Sequence, residues 1–282
     1  MILEAAIGDA YGAGFEFKEA EFILKNNNLK AYYQHGLYND IYKKYTDDTQ
    51  MAIAIAELLL EQSDWTPEYV SDKFVEVFHR DKRRGYSERI YNALNNSKTG
   101  ADLMNAMDYQ STGNGSAMRA YPIGLVSDID KLLELSKIQA ITTHNTKEGV
   151  ISAQRIALTV HYYLYKDGDQ PLIDFLDEIL KEKGNYKIVG PVSVHGFSTT
   201  NVVIPLVDNA FSLKNTLKDS VDLGGDTDTV AELCMAILSV KKKKENNLAQ
   251  FLFDELENGK YGRDYLISLD DQLFQKFKLE KR

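Results

Sequence analysis

The chain has 282 residues, 44% of them hydrophobic and 27% charged, with a net charge of −9 and a pI near 5.2. These are the proportions of a soluble globular protein, and the acidic balance excludes a general nucleic-acid binder, which would carry a basic excess. The single cysteine, Cys234, excludes an intramolecular disulfide and suits a reducing compartment. No apolar run approaches the roughly 18 residues of a membrane span. The opening MILEAAIGDAYGAG carries Glu4 and Asp9 where a signal peptide has a positive segment, so a cytoplasmic protein is expected.

Helical periodicity dominates the chain. TQMAIAIAELLLEQ, residues 49–62, is apolar nearly all round, as a buried helix would be. TPEYVSDKFVEVFHR, residues 66–80, has Pro67 at a favoured first-turn position and then Val70, Phe74, Val77 and Phe78 at helical spacing. Residues 128–142, 147–166, 171–183, 204–220, 229–244 and 247–258 also read as helices. The last four residues of the 229–244 run, Lys241 to Lys244, suit the negative end of a helix dipole. YKIVGPVSV, residues 186–194, is the best candidate for a strand, although it contains Pro191. NNSKTG, STGNGS and KDGDQP break the helices. With no internal repeat and no low-complexity linker, the pattern predicts one mostly α-helical domain over residues 1–282.

Two places depart from ordinary helix chemistry. Thr46-Asp47-Asp48-Thr49 and Asp226-Thr227-Asp228-Thr229 each crowd two carboxylates and two hydroxyls before a helix too apolar to face solvent. Gly224 and Gly225 precede the second. Capping explains one Asp or Thr at a helix start, worth about 1 kcal/mol, and leaves the second carboxylate unexplained. If both starts point into one cleft, four carboxylates converge, repel and push some of their pKa values up, a penalty that a divalent cation removes. Carboxylates and threonine hydroxyls are hard oxygen donors suited to Mg²⁺, Mn²⁺ or Ca²⁺ rather than zinc. Neither a cysteine pair nor a zinc spacing exists among the histidines. Four carboxylates could hold two ions roughly 3.5–4 Å apart.

Three further segments have the composition of a site. In GDAYGAGFEF, Glu16 stands between Phe15 and Phe17, either as a loop residue or as a tuned acid, base or ligand. In STGNGSAMR, Gly113, Asn114, Gly115 and Ser116 precede a short helix, where backbone N–H groups can hold phosphate. His144 lies between two expected helices. HRDKRRGY has the His-Arg-Asp of a kinase loop, but Tyr86 stands where that loop needs Asn and there is no Asp-Phe-Gly. Residues 79–86 read instead as a basic loop on the cleft rim or a solvated helix end.

Taken in order, GDAYGAGFE, TDDT, GNGSAMR with the later TH, and GGDTDT resemble the ADP-ribosylglycohydrolases of the dinitrogenase-reductase-activating type, over about residues 8–240. The resemblance implies an all-α, orthogonally packed helical bundle with a dinuclear Mg²⁺ or Mn²⁺ site. It implies hydrolysis of the glycosidic bond between ADP-ribose and a protein side chain or small acceptor, with arginine linkage favoured over serine, nucleobase or guanidine linkage. Carried over by motif, the metal ligands are Thr46, Asp47, Asp48, Asp226, Asp228 and Thr229, with Thr227 pointing away. Glu16 takes the place of the family's cleft glutamate, and Glu16, Asp47 and Asp48 are the candidate proton carriers. Gly113, Asn114, Gly115 and Ser116 line the phosphates and ribose, and His144 takes the substrate-side histidine position. Loss of the ligands would mark a non-catalytic ADP-ribose binder; here every ligand position is filled. The stretch from Val194 to Phe211 matches the family only loosely.

Overall fold

The computed structural model describes residues 1–61, 64–166 and 168–280. At its centre, the Ile2–Gly12 helix lies along the Thr227–Val240 helix. The Asp47–Leu60 helix packs against both. In these helices the polar exceptions cluster at one end: Ile53, Ile55, Leu58, Leu233, Met235 and Ile237 are buried among the same neighbours that surround Ile2 and Ile7. Each such side chain withdrawn from water contributes about 1.5–3 kcal/mol.

The remaining helices wrap this trio. Pro67–Arg80 is N-capped by Thr66, whose side chain accepts from the Tyr69 amide, and it lays Val70, Phe74, Val77 and Phe78 against the core. Ile129–Ile141 and Lys147–His161 pack as an antiparallel neighbour pair. Leu172–Leu180 and Gly196–Asp208 pack on Lys147–His161, Leu213–Asp222 packs on Thr227–Val240, and Arg263–Lys276 lies against the first and second of the central helices in chain order, Ile2–Gly12 and Asp47–Leu60. The architecture is all-α, as expected. Among the described residues no helix is long and apolar enough to cross a membrane.

Four sequence expectations need correction. The segment YKIVGPVSV forms no strand. Pro191 has no N–H to donate, and Val192 pairs instead with the glycine turn: its N–H donates to the Gly224 carbonyl (3.0 Å) and its carbonyl accepts from the Asp226 N–H (3.0 Å). The run 204–220 is two helices: the first ends at Asp208 with Asn209 as its C-cap, and Ser212 caps the second by accepting from the Asn215 amide. The first of them begins at Gly196, eight residues earlier than the proline at 205 suggests, driven by burial of Val202, Val203, Leu206 and Val207. In residues 247–258 only Gln250–Asp254 is helical.

The lysine run divides its labour. The Thr227–Val240 helix ends before it, and Lys241 turns inward to donate to the carbonyls of Val207 (3.1 Å), Asp208 (2.9 Å) and Ala210 (2.9 Å), closing the end of the Gly196–Asp208 helix. Lys244 bonds the Ser239 carbonyl of its own preceding helix (2.7 Å), as the dipole argument expects. Gln62, at the end of the expected run 49–62, and Asp167 of KDGDQP lie outside the described residues.

The close approach of the first and last central helices rests on glycine. A Cβ on Gly12 would meet the Thr227 carbonyl and stand 2.6 Å from the Asp228 Cα; one on Gly8 would meet the Ala231 carbonyl. Gly12→Leu is therefore expected to lower the unfolding free energy by about 1–3 kcal/mol through overpacking, read as a reduced midpoint in urea; an unchanged midpoint would show that the two helices need not touch there.

Candidate active site

The two acidic clusters meet because both are helix starts aimed at the same space. Thr46 is the N-cap of the Asp47–Leu60 helix, its hydroxyl accepting from the Asp48 amide (3.4 Å), so Asp47 and Asp48 are released from capping. Asp226 is the N-cap of the Thr227–Val240 helix and makes no side-chain cap bond, which frees its carboxylate as well. Gly224 and Gly225, at φ +70° and +81°, form the left-handed turn that delivers it. A hydrogen bond bridges the helices: Thr229 donates through Oγ1 to Asp48 Oδ1 at 2.7 Å. Thr46 Oγ1 donates to the other oxygen of Asp48 at 3.1 Å. Thr227 turns away, donating to the Gly12 carbonyl at 2.8 Å.

Beneath this pair lies Asp9, quoted in the first motif but given no role by sequence reasoning. It is fully buried and accepts from the Thr46 amide (2.9 Å), the Thr49 amide (3.2 Å) and the Thr49 hydroxyl (2.6 Å). It therefore fixes the first turn of the helix that carries Asp47 and Asp48. Its sequence signal was only a polar residue on an otherwise apolar helix face.

Burial and mutual repulsion dominate the electrostatics. Burial pushes Asp47 well above the usual carboxylate range, and the charges of Asp48, Asp9 and Glu16 add to it. Asp48 is raised by burial and by Asp9 and Asp226. Asp228 is raised by burial and by Glu16, Asp48 and Asp226. Asp226 is raised by burial, opposed by hydrogen bonds that include one from Asn114 Nδ2 to its Oδ2 at 2.5 Å. Asp9 reaches about 6, burial outweighing the threonine donors. Glu232, buried in the same helix one turn deeper, is driven up by burial and by Asp48, Asp9 and Asp47.

Oxygens of Glu16, Asp226 and Asp228 lie within 4.8 Å of one another, a grouping that could hold a metal ion. All-oxygen donors, mutual proximity and charge repulsion fit a hard divalent cation, which supplies the positive charge these groups lack. Asp48 and Thr229 stand beside them through their shared hydrogen bond.

The cluster forms one wall of a cleft of about 350 Å³, within the size range of small-molecule sites. Gly113, Asn114, Gly115 and His144 line the same cleft. Asn114 does more than sequence reasoning assigned it: its amide holds Asp226 and also donates to Thr199 Oγ1 (3.0 Å). Ser116 is not brought into the cleft. It is fully buried and its hydroxyl donates to the Gly149 carbonyl at 2.8 Å, tying the turn to the next helix. His144 Nδ1 lies 2.7 Å from Thr143 Oγ1, which also accepts from Arg119 Nη2 at 2.7 Å. Burial and the neighbouring Arg119 charge push His144 down to about 3, so it is a neutral imidazole at physiological pH.

Arg119 is the cation sequence reasoning passed over. Buried, with Gln139 and Thr143 as its hydrogen-bond acceptors, it lines the cleft near Asp47. Its pKa falls to about 9 through burial, and it keeps its charge at neutral pH. The basic rim expected at residues 79–86 is largely spent on internal pairs. Arg83 is buried against Tyr45 and paired with Asp81 (2.6 Å) and Glu257, and Arg84 pairs with Asp40 (3.1 Å). What that segment gives the cleft is Gly85 and Tyr86, with Ser87 and Arg89 beyond them.

An all-α protein with a carboxylate and hydroxyl cluster at two helix starts, sharing a cleft with a glycine turn, defines a class of hydrolase fold. The pattern of the ADP-ribosylglycohydrolase family matches residues 1–282, and the chain belongs to that family. It is 28% identical over 253 residues to the human ADP-ribosylhydrolase ARH3, covering 68% of this chain and 69% of that protein. It is 25% identical over 307 residues to ARH3 of Xenopus tropicalis (84% of each) and 25% identical over 262 residues to an uncharacterized protein of Archaeoglobus fulgidus (85% and 86%). A solved ADP-ribosylglycohydrolase-related protein complex shares the fold, with a TM-score of 0.75 at 21% identity over 97% of this chain and 95% of that one.

Raised carboxyl pKa values give a pH signature. Unfolded aspartates titrate near 3.8 and Asp9 in the fold near 6, with Asp47, Asp48 and Asp228 shifted further. The fold binds these protons more tightly than the unfolded chain, so their contribution is complete below the unfolded value and is lost as pH rises through the folded values. In EDTA the melting temperature is expected to fall between pH 5 and pH 8, and a divalent cation is expected to raise it more at pH 8 than at pH 5. Cation at 100 times its Kd adds about 2.7 kcal/mol. A melting temperature indifferent to both would contradict the charge-repulsion account.

Proposed function

We propose that this protein is a metal-dependent hydrolase that releases ADP-ribose from a modified acceptor, with arginine-linked mono-ADP-ribosyl protein as its substrate. The observation that carries this reading is the convergence of five carboxylates in one cleft that a glycine turn and a neutral histidine also line. Membership of the ADP-ribosylglycohydrolase family supports it. Thr46, Asp47, Asp48, Asp226, Asp228 and Thr229 would hold two cations, Mg²⁺ or Mn²⁺. When bound, such ions orient the ribose hydroxyls and stabilise negative charge on oxygen.

The chain's own groups divide the rest of the work. Gly115 presents backbone to the diphosphate end of the ligand, while the N–H groups of Gly113 and Asn114 are spent on Ser111 Oγ (3.3 Å) and the Val194 carbonyl (2.8 Å) and shape the turn; His144, neutral, offers a donor without adding charge. Arg119 supplies the buried positive charge on the ligand's side. Glu16, Asp47 and Asp48 face the scissile bond. Water oxygen bonds to the anomeric carbon as the bond from that carbon to the acceptor nitrogen breaks; one of these carboxylates takes the water's proton and passes it to the departing nitrogen, which regenerates the carboxylate. An acidic wall suits a guanidinium acceptor, which arrives with positive charge. Held by buried groups of matched geometry, a carboxylate of this kind contributes about 10²–10⁴-fold.

The test is release of ADP-ribose from ADP-ribosyl-arginine by protein stripped with EDTA and then given Mg²⁺ or Mn²⁺. Release restored by the metal is expected, and Asp226→Asn with Asp228→Asn is expected to abolish it while circular dichroism stays native. Wild-type turnover in that double variant would refute the metal assignment. Metal-restored turnover on a serine, nucleobase or guanidine conjugate, with none on arginine, would keep the site and replace the acceptor.

A further inference from the structure

Among the cleft carboxylates only Glu16 stands on a loop, between the Ile2–Gly12 and Ala20–Asn26 helices. Two contacts hold it. On the backbone, the next residue, Phe17, adopts φ +50° and donates its N–H to the Gly225 carbonyl at 2.9 Å, tying the loop to the turn before Asp226. At the side chain, Glu16 Oε2 lies 2.7 Å from His35 Nε2. The His35 ring is buried, and its other nitrogen, Nδ1, accepts from the Leu37 N–H (2.9 Å) and the Tyr38 N–H (3.1 Å). A ring nitrogen that accepts two N–H donors carries no proton, so the hydrogen-bond network assigns the imidazole proton to Nε2, where it is donated to Glu16. The Tyr38 ring stacks on the imidazole at 5.0 Å and 24°.

We infer that His35 is a positioning residue for Glu16. The His35-Gly36-Leu37-Tyr38 turn locks one tautomer, and the locked tautomer fixes one oxygen of the glutamate. Oε2 is occupied by His35, which leaves Oε1 as the oxygen available to the cleft. A glutamate on a loop has three rotatable bonds to freeze, whereas Asp47, Asp48 and Asp228 are held by their helices. Hydrogen bonding to His35 and the backbone tie to Gly225 together give Glu16 the fixed geometry that its helical partners have by birth. This rests on reading Glu16 as a carboxylate that acts in the cleft. A merely structural pair would hold the loop and leave turnover alone.

Two variants and one spectrum test it. His35→Phe keeps a flat ring against Tyr38 and removes both nitrogens; His35→Gln places an amide donor near the position of Nε2. On the ADP-ribosyl substrate, His35→Phe is expected to lower kcat by about 10- to 100-fold with KM nearly unchanged, and His35→Gln is expected to recover most of that loss. On a Glu16→Gln background, His35→Phe is expected to cost nothing further. Equal losses in both backgrounds, loss confined to KM, or wild-type kcat in His35→Phe would overturn the assignment. Independently of any turnover, the ¹⁵N shifts of His35 in the wild-type protein are expected to show the Nε2–H tautomer and to move in Glu16→Gln; an Nδ1–H ring would overturn it even if either substitution impairs folding. Wild-type protein inactive on every acceptor, with the tautomer as expected, would reject the proposed function and leave the His35–Glu16 geometry standing.

Discussion

The structure is organised around a repulsion. Asp9, Asp47, Asp48, Asp226 and Asp228 are buried together, with Glu16 at their edge. Two unit charges about 4 Å apart repel by about 4 kcal/mol at an effective dielectric of 20, which is a large share of a whole domain's stability. A chain tolerates this arrangement only if protons or cations neutralise it. Arg119 is the nearby buried cation that lines the cleft, but its hydrogen bonds go to Gln139 and Thr143 rather than to the acids. The raised pKa values and the all-oxygen chemistry are therefore two views of one fact: the site is built for positive charge it does not itself contain.

Such a site has to be assembled from rigid parts, because the charges would otherwise separate. Helix starts serve well. Their unpaired N–H groups favour negative charge nearby, and capping by Thr46 leaves the two following carboxylates unspent. Rigidity then depends on how closely the helices approach. Gly8 and Gly12 let the Ile2–Gly12 helix press against Ala231 and Thr227, placing Asp9 directly beneath the Thr46–Thr49 turn. On the other side, Val192 brackets the Gly225 turn through hydrogen bonds to Gly224 and Asp226. The segment that resembles a strand in sequence thus serves as a clamp on the turn that carries Asp226.

Much of this was legible in the sequence for a simple reason: two acidic, hydroxyl-rich clusters before fully apolar helices conflict with solvent exposure, and conflict is visible in a string of letters. Helical periodicity gave the elements the same visibility. Ser116 was misplaced because its neighbours in GNGS do face the cleft, and sequence does not say which side of a turn a hydroxyl takes. Residues 79–86 misled by their charge: Arg83 and Arg84 find Asp81, Glu257 and Asp40, partners distant or ambiguous in sequence. Asp9 and His35 are seen only through the residues they hydrogen-bond, Thr46, Thr49 and Glu16, and nothing in a sequence marks a side chain by what it supports.

The two kinds of carboxylate in the cleft differ in how they are held, and that difference has chemical content. Asp48, Asp226 and Asp228 sit at or within the first turns of long helices, cross-braced by Thr229 and Asn114, a rigidity that would suit ligands to an ion. A group that handles a proton must be fixed relative to substrate yet able to exchange with water. Glu16 meets both conditions: its side chain is 17% exposed while that of its partner His35 is 3% exposed. Its Oε2 is held by the buried His35 ring. The loop position of Glu16 sets it apart from the acids around it, and on the positioning role proposed for His35 the histidine supplies the rigidity that the loop lacks.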